Sequence, residues 1–174
     1  MDIRTEKTRR SIYNAFICLR SKKPLEKLTV KELCEAAQIN KSTFYVYYKD
    51  VYDLSDKIES EIVSSVIKSL GSADDIFNDP KEFSKKLLIA YVSQSSLIST
   101  VFSSTRSERL PDRIEAALKE MIFSVNPEYR DSREKNMFIT FSVYGGYYTY
   151  SKNQNYSLEE KVDFISESAK KLLE

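Results

Sequence analysis

The chain has no histidine and no tryptophan among its 174 residues, and only three glycines, four prolines and two cysteines. Each shortage excludes something. Without histidine there is no Ser-His-Asp or Cys-His catalysis and no His-containing zinc site. Cys18 and Cys34 match no metal or redox spacing. Both fall on what reads as the inner face of a helix, where cysteine packs as a small hydrophobe. Scarce glycine and proline disfavour turn-rich sheet folds and favour long helices with few connections. No run approaches the roughly eighteen apolar residues of a membrane span. Met1-Asp2-Ile3-Arg4 carries charges where a signal peptide needs an apolar core. The expectation is a cytoplasmic protein without membrane partners. No constellation of carboxylates, lysines or tyrosines stands out and no phosphate-binding glycine motif is present, so neither catalytic residues, nor a metal, nor a cofactor is expected.

Hydrophobic residues at 41% and charged residues at 30% are ordinary for a globular chain. The formal net charge of +1 hides an asymmetry. Met1 to Lys49 holds eleven Lys/Arg against five Asp/Glu, a formal +6, which leaves −5 on the remaining 125 residues. A basic first part and an acidic remainder suit contact of the first part alone with a polyanion.

Apolar spacing organises the chain into helices. Ile12, Phe16 and Leu19, with Ala15 and Cys18, give a first helix over about Thr5–Ser21, stopped at Lys22-Lys23-Pro24. Thr29 followed by Glu32 is a capping box. It opens a short helix with Val30, Leu33, Cys34 and Ala37 inside. Gln38-Ile39-Asn40 breaks that helix, and Asn40 suits the cap of a third, about Lys41–Tyr48, which keeps Phe44 inside. Tyr52, Leu54, Ile58, Ile62, Val66 and Leu70 then trace one long helix ending at Gly71. Ser72 to Pro80 reads as a loop. Further helices fall at about Lys81–Ser95, Leu97–Ser104, Pro111–Val125, Ser132–Tyr150 and Leu158–Leu173, the last behind a second capping box of Ser157 and Glu160. The predicted fold is all-α with about nine helices: a three-helix module over residues 1–50 and a helical bundle over 51–174. Three helices with a three-residue turn between the second and third is the helix-turn-helix plan.

The stretch Leu28 to Asp50 carries a resemblance. Its capping Thr29, its turn Gln38-Ile39-Asn40 and its Thr43-Phe44-Tyr45-Val46-Tyr47-Tyr48 run, followed by Asp53-Leu54, resemble the DNA-binding signature of TetR-family transcriptional regulators. The match spans Arg4 to Ile58; beyond it only helical pattern and length agree. It implies a sequence-specific regulator on double-stranded DNA. Lys41, Ser42, Thr43 and Tyr45, with Lys31 from the preceding helix, would meet base edges or nearby phosphates in the major groove. Asn40 fixes the end of the recognition helix, and Thr29, Tyr47 and Lys49 would hold the phosphate backbone. Arg4, Lys7 and Arg9 would add contacts from an N-terminal arm. Tyr45, Tyr47 and Tyr48 are also open to a core reading, and Tyr48, four residues from Phe44, takes it. Two positions depart from the family pattern. Gln38 stands where a turn glycine is usual, at a cost of about 1 kcal/mol if its backbone is left-handed. Val51 stands where a lysine is frequent.

The resemblance also implies that the C-terminal part dimerises and encloses a small-molecule pocket. Dimerisation has independent support in the sequence. The penultimate helix is aromatic nearly all round, with Gly145-Gly146 at its middle, and the last helix carries an apolar stripe. Phe141, Tyr144, Gly145, Tyr148, Leu158, Val162, Ile165 and Ala169 are the expected interface of a homodimer on a roughly palindromic operator, the glycines admitting a close partner helix. Tyr91, Phe102, Phe123, Phe138 and Phe141 are candidates to line a pocket for a small apolar or aromatic effector. The expected activity is repression released by that effector; a C-terminal part that engages a protein partner instead is the alternative.

Overall fold

The computed structural model describes residues 3–71 and 75–173. Among them ten α-helices and no strand occur: α1 Ile3–Arg20, α2 Val30–Ala37, α3 Lys41–Tyr47, α4 Val51–Lys68, α5 Asp75–Asn78, α6 Pro80–Ser93, α7 Ser95–Val101, α8 Arg109–Val125, α9 Arg133–Lys152 and α10 Leu158–Lys171. The all-α expectation holds, and boundaries agree to within about two residues for most elements. One helix was not foreseen: α5 lies inside the expected Ser72–Pro80 loop, whose residues 72–74 are outside the described residues. Four residues carry too little periodicity to signal a helix. No helix among the described residues is long and apolar enough to cross a membrane.

The chain forms two compact units. One comprises Met1–Ile62 with Ser96–Ser107, the other Val63–Ser95 with Glu108–Glu174. The boundary falls inside α4, and a later segment returns to the first unit.

In the first unit, Ile12 and Phe16 of α1, Leu33 of α2, Phe44 of α3 and Leu54 and Ile58 of α4 are buried. The returning segment adds Ile98, Val101 and Phe102. It is tied down by two arginines. Arg20 donates to the Val101 carbonyl at 3.1 Å and to Ser103 Oγ at 2.7 Å. Arg106 donates to Asp56 at 2.9 Å and to Glu59 at 3.1 Å. Glu59 is 0% exposed and also accepts from the Ser55 hydroxyl. Cys18, expected inside, is exposed, and Tyr52 is exposed as well. Each lies at the margin of its helix's apolar arc, where spacing alone assigns no side.

In the second unit, α10 packs chiefly on α6, and α8 on α9. A cavity of about 300 Å³ lies within this unit. Phe83, Leu88 and Tyr91 of α6 line it, as do Ile114 and Leu118 of α8. Helix α9 supplies Phe138, Ser142 and the glycine pair, and α10 supplies Ile165 and Ala169.

The Arg106–Glu59 pair yields a stability prediction. Arg106→Ala takes the facing cation from the buried Glu59 carboxylate and is expected to lower the unfolding free energy by about 3 kcal/mol or more. Chemical denaturation of Arg106→Ala and of the double variant Arg106→Met/Glu59→Leu checks this; the double variant should be the more stable of the two.

Candidate nucleic-acid interface and ligand cavity

The geometry of α2 and α3 begins with the capping box. The Thr29 side chain accepts from the Glu32 N–H at 3.3 Å, and Glu32 accepts from the Thr29 N–H at 3.1 Å. The Thr29 hydroxyl also donates to Glu32 at 2.8 Å, so the donor expected to hold a phosphate is committed within the chain. Lys23 forms an ion pair with the same carboxylate. The Lys23 and Thr29 hydrogen bonds hold the Glu32 carboxyl below its ordinary 4.5.

Helix α2 ends in a Schellman turn. The Gln38 N–H donates to the Glu35 carbonyl at 3.3 Å, and the Ile39 N–H to the Cys34 carbonyl at 3.0 Å. Gln38 is left-handed, with φ 55° and ψ 47°. The fold therefore keeps the backbone that a turn glycine would supply and carries a Cβ there. From α1, the Ser11 hydroxyl donates to the Ala37 carbonyl at 2.8 Å and satisfies one of the helix-end acceptors. Asn40 occupies the N-cap of α3 with extended backbone but makes no side-chain cap hydrogen bond. Its placement is as expected; its capping chemistry is not.

Helix α3 separates its side chains cleanly. Phe44 and Tyr48 are buried, their rings 5.6 Å apart, so Tyr48 is a core aromatic as expected. Lys41, Ser42 and Tyr45 are exposed, Tyr45 at 56%, while Thr43 and Tyr47 are half-buried. Val46, which the sequence reading passed over, is 76% exposed. It lies four residues from Ser42, as Tyr45 does from Lys41, so these four share one outward face. An apolar residue in the middle of a polar helical face was the signal available.

The surrounding charges are partly engaged. Lys31 is exposed and 3.9 Å from Glu35, a weak pairing at that exposure. Residues Arg4, Lys7 and Arg9 form part of α1 rather than a separate arm, and Arg9 pairs with Glu61 at 3.4 Å. Lys49 is exposed. At the start of α4 the Asp50 carboxylate accepts from the Asp53 N–H at 2.8 Å, and Asp53 accepts from the Lys49 N–H at 2.9 Å. These bonds, with Lys57, hold the Asp53 carboxyl below its ordinary 3.8. Lys57 also donates to the Tyr47 carbonyl at 3.0 Å, fixing the end of α3 to α4. Val51 is buried.

In the second unit, three of the five ligand candidates line the cavity: Tyr91, Phe138 and Phe141. Phe123 is buried away from it, and Phe102 belongs to the first unit, so neither is a lining residue. Burial, then the neighbouring Tyr147 and Tyr150, push the Tyr91 hydroxyl up to about 12. The expected dimer surface divides. Val162 and Ala169 are already covered by their own unit, and Ile165 is half-buried. Tyr144 donates to Asp112, which pushes its hydroxyl up to about 12. Phe141, Tyr148 and Leu158 are exposed, with Phe141 at 61%. Phe164 at 64%, with Met137 and Leu172, extends the exposed apolar set. The last helix has apolar residues on more than one face, and periodicity alone did not say which is covered within the chain.

Two measurements test the construction of the turn. Gln38→Gly relieves the left-handed strain and should raise stability by up to about 1 kcal/mol, read by chemical denaturation. The capping carboxylate has a depressed folded-state pKa, so its contribution is present above the ordinary 4.5 and lost as pH falls through the lower folded value. Thermal midpoints measured from about pH 5 to about pH 3 should therefore fall less steeply in Glu32→Gln than in the parent.

No known family model matches the chain, and no curated protein matches it.

Proposed function

We propose that this protein is a sequence-specific DNA-binding transcriptional regulator of the TetR type, acting as a dimer and releasing its operator when a small molecule occupies the cavity of the second unit. The observation that carries the reading is the outward face of α3. Lys41, Ser42, Tyr45 and Val46 project together from a short helix whose other side is anchored by Phe44 and Tyr48. A cation, a hydroxyl and a phenol offer donors to base edges and phosphates, and Val46 suits a thymine methyl group. Lys31 of α2 and Lys49, two residues past the end of α3, are exposed and suit phosphate contacts, as does the half-buried Tyr47; the engaged Thr29 hydroxyl suits them less.

Dimerisation is supported by exposed apolar side chains at Met137, Phe141 and Tyr148, which with Tyr144 recur at helical spacing along one stripe of α9. Phe164 and Leu172 do the same on α10. A second copy would cover both helices and present two α3 helices to major grooves about 34 Å apart. The cavity favours a small-molecule effector over a protein partner as the regulating ligand. The unbroken helix α4 contains the boundary between the units and is the direct route by which occupancy of one would alter the other.

The test is DNA binding. Wild-type protein should prefer DNA from upstream of its own gene over scrambled DNA at physiological salt. Tyr45→Ala and Lys41→Ala should each weaken that binding about tenfold or more while circular dichroism and oligomeric state are unchanged. Wild-type affinity in both variants would remove α3 as the interface.

A further inference from the structure

The chemistry of the cavity narrows what it can hold. None of its lining side chains is charged. Lys161, whose Nζ lies 4.4 Å from the Tyr150 ring centroid, is not a lining residue although Tyr150 is. An ion entering such a site loses hydration and meets no counter-charge in the lining itself, which costs far more than burying a neutral polar group. The high hydroxyl pKa of Tyr91 reflects the same poorly hydrated surroundings.

One polar atom of a lining residue, the Oγ of Ser142 on α9, is buried without a hydrogen-bond partner among the described residues. A buried hydroxyl without a partner is costly, and a ligand that bonds to it recovers that loss. The volume sets the size. An apolar cavity of about 150 Å³ holds benzene; at about 300 Å³ this one has space for two fused rings or a chain of comparable bulk.

We propose that the cavity binds an uncharged, largely apolar molecule of about bicyclic size, with one polar group hydrogen-bonded to Ser142 Oγ, and that it rejects ionised molecules of the same shape. This deepens the effector reading given above and rests on it only for the consequence at DNA. Binding itself does not require that reading.

The experiment is calorimetric titration of the full chain, without DNA, using 2-naphthol, naphthalene and 2-naphthalenesulfonate. The neutral naphthol should bind, and the sulfonate at least about a hundredfold more weakly. Ser142→Ala should weaken naphthol about fivefold and leave naphthalene unchanged. Leu87→Trp, which enlarges a half-buried lining residue, should abolish binding of both neutral compounds while thermal unfolding shows the fold intact. Sulfonate binding as tight as naphthol, naphthol binding indifferent to Ser142→Ala, or no naphthol binding each overturns the proposal. Because these titrations contain no DNA, loss of the DNA-binding reading leaves their outcome standing. Naphthol that binds without releasing operator DNA would overturn the effector role alone.

Discussion

Two backbone hydrogen bonds at the end of α2 decide where α3 begins, and so which of its side chains reach outward. The Gln38 and Ile39 N–H groups close back on Glu35 and Cys34, and the left-handed backbone of Gln38 itself reverses the chain. Shifting the start of α3 by one residue would turn its side chains through about 100°. Phe44 would leave the core and Tyr45 would take its place. The rest of the module is arranged around this junction. Ser11 satisfies the Ala37 carbonyl, the capping box fixes the other end of α2, and Lys57 holds the last turn of α3 through the Tyr47 carbonyl. That a glutamine tolerates a positive φ here says the closure is worth more than the strain it imposes.

The same module qualifies the charge asymmetry. A formal +6 over the first 49 residues suggests a broad electropositive head. Several of those cations are committed internally: Arg20 to the segment at Val101–Ser103, Lys23 to Glu32, and Arg9 to Glu61. What the exposed face of α3 offers is compact: Lys41 with neutral donors and one apolar side chain. Such a surface suits recognition through close contacts more than through a long-range field, which salt would screen within about 10 Å.

The sequence was most informative where local chemistry decides the structure. Capping at Thr29–Glu32 and Ser157–Glu160, the break at Pro24, and the core roles of Phe44 and Tyr48 all follow from neighbours a few residues away. It was least informative where a decision depends on packing between distant elements. Cys18 and Tyr52 sit at the edge of an apolar arc, and only the elements packed against them determine that they stay exposed. Arg106 and Glu59 lie 47 residues apart, so nothing in the local pattern marks either as buried. Phe102 and Phe123 looked like Phe138 in sequence, yet only Phe138 reaches the cavity. Asn40 had the side chain of a cap and the position of one, but the Schellman closure already sets the turn, and its side chain makes no cap hydrogen bond.

The glycine pair of α9 shows how a sound sequence argument can reach a different structural end. Two adjacent glycines in a helix cost about 1 kcal/mol each relative to alanine, which calls for a compensating use. Close approach of another helix was the expected one. Within the chain, a Cβ at Gly145 would meet only the Phe141 ring at 3.7 Å, and one at Gly146 only Ile165 at 3.5 Å, both ordinary contacts. Both glycines line the cavity instead. Larger side chains at these positions would take up its volume, so the helix trades intrinsic stability for space among Tyr91, Phe138 and Ile165. The exposed stripe of the same helix, through Met137, Phe141 and Tyr148, is left to contact whatever covers it. Since Phe141 belongs both to that stripe and to the cavity lining, burial of the stripe and occupancy of the cavity act on the same side chain.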